Sequence, residues 1–195
     1  PSEVTPLAWQ AAVEGWKEIG APPVLGCATG DGEAGAAVVD LVDMIQFTGS
    51  TRTGRLVGAR AGERLIPCSL ELGGNDAMIV LADADLERAA NGAVWGGMFN
   101  AGQSCTAIER VYVVDEVYDR FLDILLGKVK ALRQGMDEPG SFEKDFGATA
   151  TEAQLAIVDE HVQDALASGA TALIGGHRVA GPGLMYEPTI LVDLD

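Results

Sequence analysis

The order of helices and strands predicted from the 195-residue sequence is that of an α/β protein. Amphipathic helical stretches alternate with short runs of apolar and β-branched residues, which is the pattern of that class. Apolar residues make up 48% of the chain and charged residues 22%, so a folded, globular protein is expected. The length is sufficient for one large domain or two small ones with a buried core.

The first part of the chain predicts helices and strands in alternation. Thr5 is placed to cap the first helix, and a Gly-Ala-Pro-Pro run at 20–23 ends it, because proline cannot continue a helix. The predicted elements, in order, are a helix at 6–19, a strand at 24–26, a helix at 33–41, a buried strand at 44–48, a helix at 50–61 and a strand at 65–72.

A paired glycine at 73–74 separates this part from the rest. We predict one unit at residues 1–73, built from βα units of a nucleotide-binding sheet, and a second α/β unit at residues 74–195. In the second unit Thr151 is placed to cap a helix. Its predicted elements are a strand at 77–81, helices at 85–100 and 117–133, a strand at 111–114, a loop at 135–149, a helix at 151–168, a strand at 172–174, a turn-rich stretch at 175–183 and a strand at 189–192.

Charge and cysteine content exclude several classes of function. The net charge of −16 argues against nucleic acid and against an anionic membrane surface as partners. No stretch approaches the roughly 18 to 20 apolar residues of a membrane helix, and no signal peptide is recognised. The three cysteines, Cys27, Cys68 and Cys105, form no CxxC pair, so neither a disulfide framework nor a metal site is expected. Unpaired cysteines favour a reducing, cytoplasmic location.

Cys105 is the first candidate for chemistry. It ends the run Asn-Ala-Gly-Gln-Ser-Cys at 100–105, where a glycine lets the backbone approach a substrate closely and exposes the thiol. If Cys105 opened a helix, the free N–H groups there would stabilise a thiolate, and its own amide could hold an oxyanion. A buried structural cysteine is the alternative that the residues alone leave open.

Glu71 is the second candidate. It stands between two leucines at the predicted end of a strand, where partial burial would raise its pKa and suit it to proton transfer. The alternative is a glutamate on the solvent face of an edge strand.

The segment 47–54 predicts a strand that enters a helix through Gly49, a geometry that directs N–H groups at a phosphate. The Gly-Asp-Gly run at 30–32 predicts a turn and helix start.

Taken together, the motifs resemble those of the aldehyde dehydrogenase superfamily over essentially the whole chain and in the family's order. Residues 1–7 are similar to the segment after the family's cofactor-binding lysine, and 47–50 to its cofactor turn. Residues 71–74 are similar to its general-base motif, 102–105 to its nucleophile motif and 186–189 to a segment before its second ribose-binding motif. The stretch around the nucleophile is most similar to that of succinate-semialdehyde dehydrogenases.

The resemblance implies a mechanism and a set of site residues. Cys105 would attack the aldehyde carbon, the Cys105 amide would hold the oxyanion, and Glu71 would activate a water to release the acid. Residues 1–73 would belong to an NAD-binding domain with a partial Rossmann-type sheet, and 74–195 to the catalytic domain. Glu3 would face the adenosine ribose and favour NAD over NADP. The residues implied to bind the cofactor are Glu3, Thr48, Gly49, Ser50, Gly54 and Leu72.

The resemblance also implies what lies outside this sequence. The family's oxyanion-hole asparagine and second ribose-binding motif are not in it, so we expect a fragment with little activity alone. The parent is expected to act on a small-molecule aldehyde and to form a homo-oligomer. Two alternatives stay open. One is an enzyme that passes the acyl group to coenzyme A, although such relatives usually lack the base at Glu71. The other is a non-catalytic binding protein with the same fold.

Overall fold

The computed structural model describes residues 1–194, and its contacts divide the chain into two compact units, Pro1–Gly73 and Gly74–Asp195. In the first unit β1 and β2 form a parallel pair in which Thr48 lies opposite Glu71. The α/β class predicted from the sequence is therefore confirmed. The elements of the first unit are α1 (Leu7–Glu18), α2 (Gly32–Leu41), β1 (Ile45–Thr48), α3 (Thr51–Arg64) and β2 (Cys68–Glu71).

Side chains at the helix starts explain where α2 and α3 begin. Asp31 caps α2 by accepting a hydrogen bond from the N–H of Glu33 (3.0 Å), and Ser50 caps α3 by accepting one from the N–H of Thr53 (3.2 Å). Each bond satisfies an N–H group that has no partner inside its helix. The core of this unit is small and consists of Ile45, Val57 and Ala61.

Two predictions for the first unit are wrong. Thr5 does not cap α1: Pro6 already has helical dihedral angles (φ −80°, ψ −22°) and no side chain caps the helix start, so Thr5 stays outside it. Residues 24–26 are not a strand. The N–H of Val24 donates to the carbonyl of Pro22 (2.8 Å) in a tight local turn, so it is not available for a sheet ladder.

The limits of two predicted strands are also corrected. The strand predicted at 44–48 begins at Ile45, which is buried, whereas Met44 is 62% exposed. The strand predicted at 65–72 begins at Cys68, because α3 continues to Arg64 and Leu65 ends it in the left-handed conformation (φ 55°). A residue with that backbone angle cannot continue an extended strand.

The second unit contains a parallel pair, β3 with β4, and an antiparallel pair, β5 with β6. Thr151 caps α6 as predicted, accepting a hydrogen bond from the N–H of Gln154 (3.1 Å). The helix predicted at 85–100 ends earlier, at Met98, and a 3₁₀ turn follows. The elements are β3 (Asp76–Val80), α4 (Leu86–Met98), β4 (Ile108–Val113), α5 (Tyr118–Lys130), α6 (Glu152–Ala167), β5 (Thr171–Ile174) and β6 (Ile190–Val192).

The main core of the second unit lies between β3, α4 and α5. In α5 the buried side chains Phe121, Leu125 and Val129 recur every four residues, which places them on one face of the helix. They pack with Val80 of β3 and Ala90 of α4. Within residues 1–194 no helix has both the length and the apolar character needed to cross a membrane.

An ion pair closes the loop between α5 and α6. The guanidinium of Arg133 donates to both carboxylate oxygens of Asp145 (3.1 and 2.9 Å), and the Arg133 amide donates as well (2.8 Å). The hydrogen bonds from the Arg133 side chain and backbone lower the pKa of Asp145 from 3.8 to about 2. The charged form of this carboxylate is therefore preferred in the folded state.

Replacing Asp145 with asparagine is expected to lower the free energy of unfolding in a pH-dependent way. Because the folded-state pKa lies below the unfolded one, the contribution is present above pH 3.8 and is lost as the pH falls through about 2. Chemical denaturation across this range measures it, with Asp123→Asn on the exposed face of α5 as the control. A difference between wild type and Asp145→Asn that does not change with pH would contradict this assignment.

Candidate active site

A sharp reversal of the backbone presents Cys105 after α4. Asn100, Ala101 and Gly102 all have positive φ angles (53°, 56° and 73°), and the chain then enters a turn closed by a hydrogen bond from the N–H of Ala107 to the carbonyl of Ser104 (3.2 Å). Cys105 lies in this turn and is exposed, whereas the chain's other two cysteines are half-buried. The structure thus disagrees with the alternative of a buried structural cysteine.

Cys105 does not open a helix, contrary to the hypothesis made from the sequence. The turn leads directly into β4, and the N–H of Thr106 donates weakly to the Ser104 hydroxyl (3.4 Å). Helix N–H groups therefore do not converge on the thiol. Within the described residues the Cys105 amide donates no hydrogen bond, which leaves it available to a developing oxyanion.

Two glycines allow close backbone packing around this turn. A Cβ atom on Gly102 would lie 3.2 Å from the carbonyl oxygen of Gly97, and one on Gly74 would lie 3.0 Å from the carbonyl oxygen of Cys105. Gly102 also has a positive φ angle, which glycine adopts without steric strain. The second glycine of the Glu-Leu-Gly-Gly motif thus packs directly on the backbone of Cys105.

The sequence motif at 102–105 contains Gln103 but does not indicate the contacts of its side chain. Its side-chain amide donates to the carbonyl of Asn100 (2.9 Å) and to that of Ala148 (3.4 Å), and it accepts from the N–H of Ala150 (2.7 Å). Because two of these partners lie more than 40 residues away in the sequence, no local pattern indicates the contact.

Glu71 is the last residue of β2, and its side chain is exposed. The partial burial expected from its leucine neighbours is therefore wrong, and the exposed side chain agrees with the alternative of a solvent-facing glutamate on an edge strand of this two-stranded sheet. The backbone of Glu71 is held in place, since its carbonyl accepts a hydrogen bond from the N–H of Gly49 (3.0 Å). Leu72 is half-buried and packs on α3: a Cβ on Gly54 would lie 2.6 Å from a Leu72 methyl.

The turn between β1 and α3 has the geometry predicted for a phosphate site. Thr48 ends the strand, Gly49 follows, and a Cβ on Gly49 would lie 2.6 Å from the ring of Phe47. The Ser50 hydroxyl is engaged in the cap, where it also donates to the Thr53 hydroxyl (3.0 Å). The N–H of Thr53 is used by this cap, whereas those of Thr51 and Arg52 make no hydrogen bond within the described residues and remain for an anion.

A cavity of about 1160 Å³ lies in the first unit beside this turn. Of the residues predicted to bind a cofactor, Glu3 lines the cavity, while Thr48, Gly49, Ser50, Gly54 and Leu72 cluster next to it where β1 and β2 end and α3 begins. Its volume and apolar walls suit a nucleotide. Further lining residues include Trp9, Val39, Phe47, Thr53 and Leu56.

The charged side chains of the cavity are mainly acidic. Glu3, Asp31, Asp40 and Arg60 line it. Arg60 is paired with Asp40 (2.6 Å) and with Glu63 (2.7 Å), and its hydrogen bond lowers the pKa of Asp40. The one cation among these lining residues is therefore already neutralised by carboxylates, which makes the cavity unfavourable for an additional phosphate.

Comparison with known proteins agrees with the motifs. The model of the aldehyde dehydrogenase family matches residues 1–195, and the chain belongs to that family. A 4,4'-diapolycopene aldehyde oxidase from Methylomonas sp is 41% identical over 170 residues, or 85% of this chain and 30% of that protein. Succinate-semialdehyde dehydrogenase [NADP(+)] 1 from Mycobacterium tuberculosis is 43% identical over 148 residues, or 76% of this chain and 32% of that protein.

The fold comparison covers the whole chain. The structure of an aldehyde dehydrogenase from Bacillus cereus in complex with NAD+ matches with a TM-score of 0.93 and 36% identity, over 100% of this chain and 40% of that one. The aldehyde dehydrogenase fold predicted from the motifs is therefore confirmed. The chain spans about a third of the length of the curated relatives it matches.

Proposed function

We propose that the whole protein oxidises an aldehyde to a carboxylic acid with a nicotinamide cofactor, and that Cys105 is its nucleophile. The observation that carries this proposal is that the Cys105 thiol is exposed on a turn and that the backbone N–H of Cys105 donates no hydrogen bond within the described residues. One cysteine thus offers both a nucleophile and an oxyanion donor, as acyl transfer requires. Residues 1–73 would bind the cofactor, and residues 74–195 would carry the nucleophile.

The chemistry at Cys105 begins with its thiolate, which adds to the aldehyde carbon while the carbonyl oxygen becomes an oxyanion. The N–H of Cys105 donates a hydrogen bond to that oxygen. A nicotinamide cofactor bound by residues 1–73 would supply the hydride acceptor. After the tetrahedral carbon has lost its hydride, the adduct on Cys105 is a thioester.

Glu71 completes the cycle as the general base. Its carboxylate takes a proton from a water molecule, the water oxygen adds to the thioester carbon, and the Cys105 thiolate leaves as the acid forms. The exposure of the Glu71 side chain at a strand end supports this assignment, because a general base must be accessible to water. A base at this position favours water over coenzyme A as acyl acceptor.

For the cofactor we propose NAD rather than NADP, although the relatives include proteins named for NADP and a structure with NAD+. The support is electrostatic: Glu3 and Asp31 line the cavity, and Arg60 is already paired. A carboxylate near the ribose accepts hydrogen bonds from its hydroxyls and repels a 2′-phosphate. The pyrophosphate would lie against Gly49 and Ser50, with the N–H groups of Thr51 and Arg52 as donors, and Leu72 would lie near the nicotinamide.

Replacing Glu3 with serine is expected to shift the preference toward NADP. The ratio of kcat/KM with NADP to that with NAD should rise about fivefold, because removing one negative charge near a phosphate is worth about 1 kcal/mol. The ratio is measured on the whole protein with one aldehyde, and Glu18→Ser near the end of α1 is the matched control. An unchanged ratio in Glu3→Ser would show that Glu3 does not contact the ribose.

The function is tested by following the reduction of NAD by the whole protein with a panel of aldehydes, with and without coenzyme A. Because the relatives are named for succinate semialdehyde and for a diapolycopene aldehyde, the panel should contain short acidic and long apolar aldehydes. We propose a semialdehyde of the succinate type as substrate, a homo-oligomeric enzyme and a cytoplasmic location. A strict need for coenzyme A would favour the acylating alternative, and no reduction with any aldehyde would favour a binding role.

A further inference from the structure

We infer that Gln103 is the positioning residue that holds the Cys105 turn in its reactive orientation, an inference that rests on the proposed role of Cys105. A glutamine amide has two donor hydrogens and one acceptor oxygen. In Gln103 both functions are used: Nε2 donates to Asn100 O (2.9 Å) and to Ala148 O (3.4 Å), and Oε1 accepts from Ala150 N (2.7 Å).

The turn requires such support because its backbone is strained. Asn100 and Ala101 are not glycines, yet both have left-handed dihedral angles (φ 53° and 56°). Non-glycine residues keep this conformation only when surrounding contacts impose it. The Asn100 side chain donates to the carbonyl of Gln103 (3.2 Å), and the N–H of Gln103 donates to the carbonyl of Asn100 (3.2 Å). Both contacts lie inside the turn and would move with it.

The Gln103 side chain, by contrast, connects the turn to a distant and well-anchored segment. Ala148 and Ala150 flank Thr149, which is buried. Both the N–H and the hydroxyl of Thr149 donate to the carbonyl of Leu184 (2.8 Å each). A buried residue with two such bonds is held firmly within the second unit. By bonding to the residues on either side of Thr149, Gln103 attaches the Cys105 turn to this well-held segment.

The consequence concerns the geometry of attack. The thiolate of Cys105 must meet the aldehyde carbon while the N–H of the same residue meets the aldehyde oxygen. Cys105 is two residues from Gln103. If the turn lost the hydrogen bonds of Gln103, the thiolate and the N–H of Cys105 would both move out of position. A small misplacement of reacting atoms lowers the rate of the chemical step, whereas it affects substrate affinity much less.

The test compares Gln103→Met, Gln103→Glu and Gln163→Met in the whole protein. Gln103→Met keeps the length of the side chain and removes all three hydrogen bonds. Gln103→Glu keeps the acceptor for Ala150 N and loses the donors. The side chain of Gln163 also donates a hydrogen bond to a backbone carbonyl of this unit, that of Gly176 (3.0 Å). Gln163→Met therefore removes a comparable hydrogen bond at a position outside the Cys105 turn and serves as the control. The measurements are kcat and KM for the aldehyde, their pH profile, thermal unfolding, and alkylation of Cys105 by iodoacetamide followed by mass spectrometry.

We expect kcat to fall at least about tenfold in Gln103→Met, with the KM for the aldehyde and the midpoint of the pH profile nearly unchanged. Gln103→Glu should lie between Gln103→Met and wild type, and Gln163→Met should keep the wild-type kcat. Alkylation of the exposed thiol should change less than about twofold, because a small reagent needs no fixed approach direction. If Gln103→Met does not fold, Gln103→Glu carries the same test.

Three results would overturn the inference. These are a wild-type kcat with only a lowered unfolding temperature, an equal loss of kcat in Gln163→Met, or a shifted pH midpoint that points to a direct proton-transfer role. Turnover that survives Cys105→Ala would instead reject the proposed function, whatever the effect of Gln103. Turnover that depends on Cys105 and is indifferent to Gln103 would reject this inference alone.

Discussion

Replacement of Cys105 by alanine is expected to reduce aldehyde oxidation by the whole protein by about 10⁴-fold or more, which amounts to a complete loss in most assays. The thiol is the exposed nucleophile in this proposal, and without it no covalent adduct and no thioester can form. The measurement is the rate of NAD reduction at saturating aldehyde. Binding of NAD, measured separately by calorimetry, should be unchanged, because the cofactor residues lie in residues 1–73.

Cys68→Ala is the matched control for that experiment. Cys68 is half-buried in β2 beside the small core of the first unit, so its loss should affect stability slightly and leave the chemistry intact. Rapid turnover by Cys105→Ala would reject the nucleophile, and with it the acyl-enzyme mechanism. Equal inactivation by Cys68→Ala would show that thiol loss disturbs the fold rather than the reaction.

Replacement of Glu71 by glutamine is expected to lower steady-state turnover by about 10² to 10⁴-fold, the usual contribution of a general base. The first turnover should survive, because attack by Cys105 and loss of hydride do not require water. A burst of NAD reduction, close to one equivalent per active site, should therefore precede a slow steady state. Stopped-flow absorbance measures the burst, and mass spectrometry of the quenched protein detects the acyl group on Cys105.

Glu160→Gln is the control, since Glu160 lies on the exposed surface of α6 and the same charge is removed there. Loss of the burst together with the steady state in Glu71→Gln would assign Glu71 to the activation of the thiol rather than to hydrolysis. A steady state at the wild-type rate would exclude both roles and would reopen the acylating alternative with coenzyme A as acceptor.

Local sequence patterns predict the helix caps at some positions and not at others. Thr151 and Ser50 cap their helices because a hydroxyl placed before a helix meets the nearest free N–H groups, a contact that involves only neighbours in the sequence. Thr5 occupies a similar position but does not cap, because Pro6 takes the helical conformation first. The strand expected at 24–26 is absent because Val24 bonds to Pro22 instead of to a strand.

In the candidate site, too, some features can be recognised in the sequence and others depend on the fold. The motifs at 71–74 and 102–105 can be recognised from the sequence alone, because short runs of glycine with a thiol or a carboxylate are local in the sequence. The sequence leaves open whether Glu71 is partly buried or exposed, and it does not predict the absence of a helix at Cys105. Both depend on what packs against these residues from elsewhere in the chain.

The sequence by itself determined the α/β class and the family of this protein, because periodicity and short motifs are properties of neighbouring residues. Only the tertiary structure decided how the candidate nucleophile is supported. The left-handed angles at Asn100 and Ala101 and the amide bridge from Gln103 to residues 148–150 exist because segments more than 40 residues apart pack together. Such contacts depend on the folded arrangement of the whole unit, and no local pattern encodes them.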